Sequence, residues 1–318
     1  MLIVHIMRFS GRNICPLRPS FSGPQATRSI LQQSRVLHPF PTTSQQHSFS
    51  QLHQQNMSTH RLDKNIFNHK LYKDVQAAFF EGVELGATEI DFAVLKRWFM
   101  GTPEEKQIFD NVCREKFGRA LDAIGPEQLP RPTAEPFLRE LKEVAEENAG
   151  GDGSEVAWTA VSMALLLDQV PRNIFRTNEG LVKVYTHYDE IAHSFSEILL
   201  SAKSPIGRPD LHPQWRLSLP HIMWFYMPLV HSEKIASHDL YDQVIEKYEK
   251  ELKQEKDNEG RLAMLAHSLK SEKEHRDILE QFGRYPHRNA CLGRKSTPEE
   301  EKFLAEGGAT FGVAQAKS

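Results

Sequence analysis

The chain has 318 residues, a size that suits one large domain or two ordinary ones. Its composition of 39% hydrophobic, 25% charged and 9% aromatic residues is globular and excludes a wholly disordered, collagenous or coiled-coil chain. The longest apolar stretch, Ile222 to Val230, is too short to cross a bilayer, so we predict a soluble protein without a membrane span. The three cysteines, Cys15, Cys113 and Cys291, are widely spaced, which excludes a disulfide framework and a thiolate zinc site.

Charge is distributed unevenly along the chain. Residues 1–62 contain no Asp or Glu and carry a net charge of +6, whereas residues 63–318 carry −9. An acidic body lacks the concentrated basic face that nucleic acids require, so we predict no nucleic-acid partner. We expect a disordered extension over residues 1–62, followed by one domain over residues 63–318.

The extension has the composition of a mitochondrial transit peptide. It is rich in Arg and Ser, and Arg8 and Arg12 lie among the apolar residues of an amphipathic opening. We therefore predict import into the mitochondrial matrix. Two alternatives stay open: a disordered extension without a targeting role, or a translation start at Met57 that would give a cytoplasmic protein.

Beyond residue 62 the sequence predicts helices almost throughout. Thr102-Pro-Glu-Glu105 is a capping box with proline at the first helical position, and apolar residues continue at helical spacing to Ile124. The same box at Thr297-Pro-Glu-Glu300 opens a short final helix. No segment alternates with a period of two, so the fold class is all-α. The intervening helices are expected over residues 136–149, 155–170, 181–200, 217–231, 234–256 and 261–282.

The helix over residues 155–170 is apolar on every side and is predicted to be the central buried helix. We expect Ser154 to cap it and Pro171 to end it. The loop over residues 202–216 is long and contains Pro205, Gly207 and Pro209, so it is ordered only if other groups hold it.

Polar residues are concentrated directly after the most apolar segments. A buried charge persists only when it is paired, so we expect Asp168 and Glu233 to contact Arg and His side chains. Gly283 is predicted to end a helix in a left-handed conformation, and Pro286 to keep Tyr285 extended, which puts the following cations on a turn. The candidate residues for a binding site or a buried polar network are Asp168, Gln169, Arg172, Asn173, Arg176, His231, Ser232, Glu233, His275, Arg276, Arg284, His287, Arg288, Asn289 and Arg294.

Three stretches of the sequence that contain these residues carry a family resemblance. Leu165-Leu-Leu-Asp-Gln-Val-Pro-Arg-Asn-Ile-Phe-Arg176, Pro228-Leu-Val-His-Ser-Glu233 and residues 282–300 resemble the signature blocks of the domain of unknown function 924 family. The resemblance implies an all-helical, tetratricopeptide-repeat-like stack of antiparallel helix pairs, and it implies no activity. Tyr185 and His238 stand where the family pattern has an aspartate and a glutamine.

Three functions compete at this point. The first is a pocket for a small anionic ligand, in which Arg172, Arg176, Arg284, His287 and Arg288 recognise a carboxylate or phosphate, since the planar guanidinium groups of the arginines suit such oxyanions. The same arginines would equally serve a structural ion-pair network that locks helix ends.

The second function is an enzyme, with His231 or His275 as acid or base and Glu233 or Asp168 as its partner. The third is an interaction scaffold that binds a protein or peptide in a concave helical groove, an expectation from fold analogy. We predict no metal and no other cofactor, because His231 and Glu233 fall on different helix faces and no serine, cysteine, phosphate-loop or dinucleotide motif is present.

Overall fold

The structure is a computed structural model that describes residues 60–256 and 258–311. The predicted targeting segment around Arg8 and Arg12, and the alternative start at Met57, lie outside the described residues. Within the described ranges the protein is all-α and has no strand. None of the helices there is long and apolar enough to cross a membrane. The tetratricopeptide-like stacking of helix pairs stays a prediction.

Twelve α-helices follow one another along the described chain. Both predicted capping boxes are present: Thr102 and Thr297 each accept a hydrogen bond from the backbone of the glutamate three residues on, which bonds back to their own N–H. The helices are α1 His69–Phe80, α2 Phe92–Leu95, α3 Pro103–Ala123, α4 Glu135–Glu147, α5 Ser154–Ile174, α6 Asn178–Lys183, α7 Asp189–Leu199, α8 Leu219–Ile222, α9 Met227–Val230, α10 Ile235–Leu252, α11 Glu259–Phe282 and α12 Pro298–Ala305.

Helix α5 lies at the centre, as its apolar sequence predicts. It packs against α1, α3, α4 and α7, and most of its side chains are buried. Its ends differ from the prediction. Gly153, with φ of 85°, precedes the helix and Ser154 is its first residue, while Asp152 accepts a hydrogen bond from the Ser154 N–H at 2.9 Å. Gly153 is therefore the N-cap, because a glycine adopts this left-handed conformation without strain. The predicted capping role of the Ser154 side chain is not observed.

Pro171 does not end α5, which continues to Ile174. A proline removes one backbone donor from a helix, and in an exposed helix that loss often terminates it. Here Val170, Pro171 and Ile174 are all buried against neighbouring elements, and the Phe175 N–H closes the last turn on the Pro171 carbonyl at 2.8 Å. The packing of these buried side chains therefore outweighs the missing backbone hydrogen bond. As a result, Arg172 and Asn173 belong to the last turn of α5.

The predicted helix over residues 217–231 is instead broken into α8, a 3-10 turn over Met223–Phe225 and α9. Pro220 and Pro228 each occupy the first turn of a short helix, because a residue without an N–H suits that position and interrupts any helix that precedes it. The residue after the last of these short helices, His231, contacts Asp168 of α5. The loop before it is ordered: Asp210 pairs with Arg208 and accepts a hydrogen bond from the Tyr226 hydroxyl at 3.1 Å.

The predicted helix over residues 181–200 contains a π-helical turn, Val184–Tyr188, between α6 and α7. Such a turn inserts one residue into a helix and is common at functional sites. It brings Tyr185 to the same side as the start of α7. Later in the chain, Gly283 ends α11 with φ of 70°, as predicted. Tyr285 is extended, also as predicted, ahead of a 3-10 turn over Pro286–Arg288.

Candidate functional site

A cavity of about 220 Å³ lies where α5, the π-helical turn, α7, the end of α9 and the turn after α11 meet. Its volume corresponds to roughly seven water molecules, a space for a small metabolite. We call it the central cavity. It is lined by Asp168, Tyr185, Asp189, Glu190, His193, Pro228, His231, Ser232, Glu233, Lys234, Arg288 and Leu292.

Asp168 and His231 form a hydrogen-bonded pair in the wall of the central cavity. The Nδ1 atom of His231 lies 2.7 Å from Asp168 Oδ1, and the amide of Gln169 donates to the other carboxylate oxygen. With Nδ1 facing a carboxylate, Nδ1 carries the proton and donates it. The other ring nitrogen, Nε2, makes no hydrogen bond to any described residue and is not sealed from solvent. His231 therefore presents a proton acceptor to the cavity.

The two members of this pair hold opposite protonation states. Burial opposes ionisation of Asp168, but Arg172 and His231 overcome it and lower its pKa to about 2. Burial lowers the pKa of His231, as does the charge of Arg172, with Asp168 acting in the other direction. At neutral pH the carboxyl is thus ionised and the imidazole neutral, the state in which a histidine accepts a proton.

Asp189 joins two arginines at the floor of the cavity. Arg172 binds it in bidentate fashion, with Nη1–Oδ1 at 2.6 Å and Nη2–Oδ2 at 3.1 Å, and also lies 3.7 Å from Asp168. Arg288 Nη1 lies 3.6 Å from Asp189 Oδ2, which is an ion pair but too long for a hydrogen bond. One carboxylate is therefore bound in bidentate fashion by Arg172 and only loosely neutralises Arg288.

Arg288 is a buried cation of the site with few hydrogen bonds. Only 7% of it is exposed, its Nη2 donates to the His231 carbonyl at 2.8 Å, and its buried Nε has no partner among the described residues. The guanidinium carbon lies 4.3 Å from the ring centroid of Tyr185 and 4.8 Å from that of Tyr285. Aromatic faces stabilise a buried cation without supplying hydrogen-bond acceptors. Most N–H donors of the Arg288 guanidinium therefore make no hydrogen bond to the described residues and are available to a ligand.

The other predicted side chains around the cavity are committed to the fold. Glu233 accepts two hydrogen bonds from Arg294, at 2.8 and 2.9 Å, and one from the Tyr285 N–H. Burial opposes ionisation of Glu233, yet Arg294 and that N–H lower its pKa. Ser232 accepts from the Lys234 N–H at 3.2 Å and from the Ser237 hydroxyl, which also contacts His193.

His275 and His287 lie in the wall behind Arg288, outside the lining of the cavity. The His275 ring stacks on Phe311 at 3.7 Å, and its centroid is 6.3 Å from that of His231. Burial lowers the pKa of each to about 3. His287 is therefore neutral at physiological pH and contributes no positive charge to the site, and His275 does not reach the cavity.

Three predicted arginines lie elsewhere. Arg176 pairs with Asp110, and Asn173 accepts from it at 3.3 Å; Arg276 binds Asp239, Asp242 and Glu280 on the surface of α10 and α11. Arg284 pairs with Glu300, which Asn289 also contacts. The structure therefore brings together Asp168, Arg172, His231, Ser232, Glu233 and Arg288, and it separates them from Arg176, Arg276 and Arg284.

Sequence reasoning missed Asp189, which links the two arginines. A signal for it exists, because Tyr185, Asp189 and His193 recur every four residues, the spacing of one helix face. His238 was noted only as a departure from the family pattern. It is buried with Nδ1 2.9 Å from Glu272, its Nε2 near the Ser232 carbonyl at 3.1 Å, and it supports the turn that carries Ser232.

A larger groove of about 570 Å³ runs beside α1 and α3, lined among others by Phe80, Arg97, Phe109 and Lys116. It contains none of the predicted site residues. Across the part of the chain that the structure describes, no group of three His, Cys, Asp or Glu side chains has the arrangement of a metal site.

Comparisons with known proteins place this chain in a family. A solved structure of a protein of unknown function from Agrobacterium tumefaciens is 26% identical to it, with a TM-score of 0.47, and the match covers 77% of this chain and 100% of that one. No curated protein matches the chain. The family model described as bacterial protein of unknown function (DUF924) matches residues 87–308. The chain therefore belongs to the DUF924 family.

Proposed function

We propose that the protein binds a small anion, a carboxylate or a phosphate, on Arg288 in the central cavity. The observation that carries the proposal is a buried guanidinium that lines a cavity and has most of its donors unused. Buried charges in proteins are normally paired and hydrogen-bonded, and guanidinium groups suit planar oxyanions. The nearest carboxylate, Asp189, is already held by Arg172.

Thermal unfolding of the full chain with propionate or inorganic phosphate, at constant ionic strength, tests this proposal. A ligand that binds only the folded state stabilises it by about 2.7 kcal/mol at a hundred times its Kd. We expect stabilisation of the wild type and its loss in Arg288→Ala. Arg276→Ala is the matched control, since Arg276 is bound to surface carboxylates. Equal loss in both variants, or no stabilisation of the wild type, would contradict the proposal.

A second candidate function, acid–base catalysis at the same site, is favoured by the Asp168–His231 pair. Of the four sequence-predicted combinations of histidine and carboxylate, this one has hydrogen-bonding geometry and a ring nitrogen open to the cavity. A carboxylate that orients an imidazole is the usual arrangement of a histidine base. The base would act on a ligand that Arg288 holds beside it.

Carbethoxylation by diethyl pyrocarbonate measures whether His231 Nε2 is an accessible base. The reagent modifies neutral imidazole nitrogens, so His231 should react rapidly and propionate should slow its modification. His275 is the internal control, because its ring is buried against Phe311. Modification of His275 before His231, read by peptide mass spectrometry, would rule out the second candidate.

For its location we propose the mitochondrial matrix, supported by the acid-free, Arg-rich composition of residues 1–62. A fluorescent reporter fused to residues 1–62 should colocalise with a matrix marker. Replacing Arg8 and Arg12 with glutamine should release it to the cytosol. Diffuse signal from the unaltered fusion would contradict this location.

A further inference from the structure

The wall of the central cavity carries more negative than positive groups. Asp168, Asp189, Glu190 and Glu233 line it, against the cations Lys234 and Arg288. Arg172 and Arg294 lie behind the lining, where Arg172 pairs with Asp168 and Asp189, and Arg294 pairs with Glu233. A dianion such as phosphate would meet these carboxylates at close range, so we expect it to bind more weakly than a singly charged carboxylate. The cavity therefore suits a ligand with little net charge.

Two acceptors on the same wall lack donors. His231 Nε2 has no hydrogen-bond partner among the described residues. The nearest cation to Glu190 is Lys234, whose Nζ lies 3.8 Å away, beyond hydrogen-bonding distance. The carboxylate of Glu190 makes no hydrogen bond to any residue that the structure describes. A ligand that carried only an anionic group would satisfy Arg288 and leave both acceptors to water, because the Glu190 side chain is 53% exposed and His231 Nε2 is open to the cavity.

From these groups we infer that the ligand is a small α-amino acid, whose carboxylate binds Arg288 and whose ammonium group donates to His231 Nε2 and the Glu190 carboxylate. The inference rests on the proposed anion site and names its ligand class. An ammonium group has three donors and no acceptor, which matches a wall with acceptors to fill. A cavity of about 220 Å³ has room for a small amino acid.

The test compares four compounds by isothermal titration of the full chain: L-alanine, propionate, L-alaninamide and inorganic phosphate. Propionate lacks the amine of L-alanine, and L-alaninamide lacks its carboxylate. We expect L-alanine to bind about tenfold tighter than propionate, because one charge-assisted hydrogen bond accounts for such a factor. L-alaninamide and phosphate should bind more weakly than propionate.

Two glutamate variants sharpen the result. Glu190→Gln keeps the shape of the side chain and removes its charge, so it should weaken L-alanine about tenfold and leave propionate unchanged or slightly tighter. Glu179→Gln is the matched control, an exposed glutamate in α6 outside the cavity. It should alter neither affinity. Arg288→Ala should abolish binding of L-alanine and propionate alike.

The failure of this inference is distinguishable from the failure of the anion site. If propionate or phosphate binds as tightly as L-alanine, and Arg288→Ala abolishes that binding, the proposed anion site on Arg288 is retained and the inference that its ligand is an amino acid is wrong. The same holds if Glu190→Gln weakens both carboxylates equally. If none of the four compounds binds, the anion site falls and the inference falls with it.

Discussion

Arg284 and Arg288 stand four residues apart on one turn, yet they belong to different regions of the molecule. Arg284 joins a C-terminal clasp made of Arg284, Asn289, Thr297 and Glu300. Its Nε and Nη2 donate to the two oxygens of Glu300 at 2.7 and 2.8 Å. Glu300 also accepts from Asn289 and from the Thr297 N–H, and it is 1% exposed. Both carboxylate oxygens of the clasp are filled.

The central cavity shows the reverse balance. Arg288 donates one hydrogen bond, to the His231 carbonyl, and faces Asp189 only across 3.6 Å. The two arginines have the same chemistry, so the difference lies in how many acceptors the fold supplies to each. An arginine whose acceptors lie within the fold holds the fold together, and an arginine with few acceptors is available to a ligand.

Acid should separate the two regions with the largest effect. The folded pKa of His275 and of His287 is about 3, below the ordinary value of 6.5, because of burial. The unfolded chain therefore takes up protons that the folded chain refuses. Stability from these groups is complete above pH 6.5 and is lost as pH falls from 6.5 towards 3, by up to about 1.4 kcal/mol per pH unit for each histidine.

In the clasp, by contrast, hydrogen bonds from Arg284 lower the pKa of Glu300 to about 2 despite its burial, so its contribution is lost only below pH 4.5. Denaturant unfolding at pH 7 and pH 5 should therefore show a loss on the order of 4 kcal/mol from the two histidines. His275→Gln should remove about 2 kcal/mol of the measured loss, to which His221, whose pKa burial lowers to about 4, also contributes. An unchanged pH slope in His275→Gln would show that the histidine titrates normally in the folded protein.

Asp168→Asn should give the next largest effect. The carboxyl is 1% exposed and neutralises Arg172 beside His231, so removing its charge should cost about 3 kcal/mol, the lower end for a broken buried pair. The lower end of the range applies because Arg172 remains hydrogen-bonded to the carboxylate of Asp189 in the variant. Urea unfolding measures the change. A loss under about 0.5 kcal/mol would place Asp168 in solvent and contradict the network.

The pairing of Asp168 was predictable from the sequence because a carboxylate at the end of an apolar helix needs a partner. Which partner it has was not, since His231 lies 63 positions away and only the fold brings it there. Asp189 was missed for the same reason. Its polar stripe with Tyr185 is visible in the sequence, but its arginines come from α5 and from the turn after α11.

The same division applies to the fold. The capping boxes at Thr102 and Thr297 and the left-handed Gly283 were predicted and are present, because each depends on groups within a few positions. Pro171 was read wrongly as the end of a helix because its local preference for termination is overridden by burial in the core. Local rules predict helix ends where the end is exposed, and tertiary packing decides them where it is buried.

Glu300→Ala breaks the clasp and should have a smaller effect. It removes the reciprocal capping bond to Thr297 and the acceptors of Arg284 and Asn289. We expect a loss of about 2 kcal/mol, discounted because the Arg284 side chain is 28% exposed and solvent screens it. Glu301→Ala, an exposed neighbour, is the control and should lie within about 0.5 kcal/mol of wild type. Equal effects would mean that the clasp adds no stability.

The smallest change in stability is expected for Arg288→Ala. This variant tests the comparison between Arg284 and Arg288 most directly. Its removal takes away one hydrogen bond and two aromatic contacts, but Asp189 keeps its bidentate partner and no carboxylate is stranded. It also removes a buried Nε without a partner. Stability should therefore change by less than about 1 kcal/mol in phosphate-free buffer.

Arg284→Ala strands the buried Glu300 and should destabilise the protein more than Arg288→Ala does, while leaving stabilisation by propionate intact. Arg288→Ala should do the opposite, abolishing stabilisation by propionate at little cost to the unliganded protein. Denaturant unfolding of both variants, each with and without propionate, measures all four quantities. A ligand-independent loss of a few kcal/mol in Arg288→Ala would make Arg288 a second structural lock, because an arginine that the fold depends on has its acceptors within the fold.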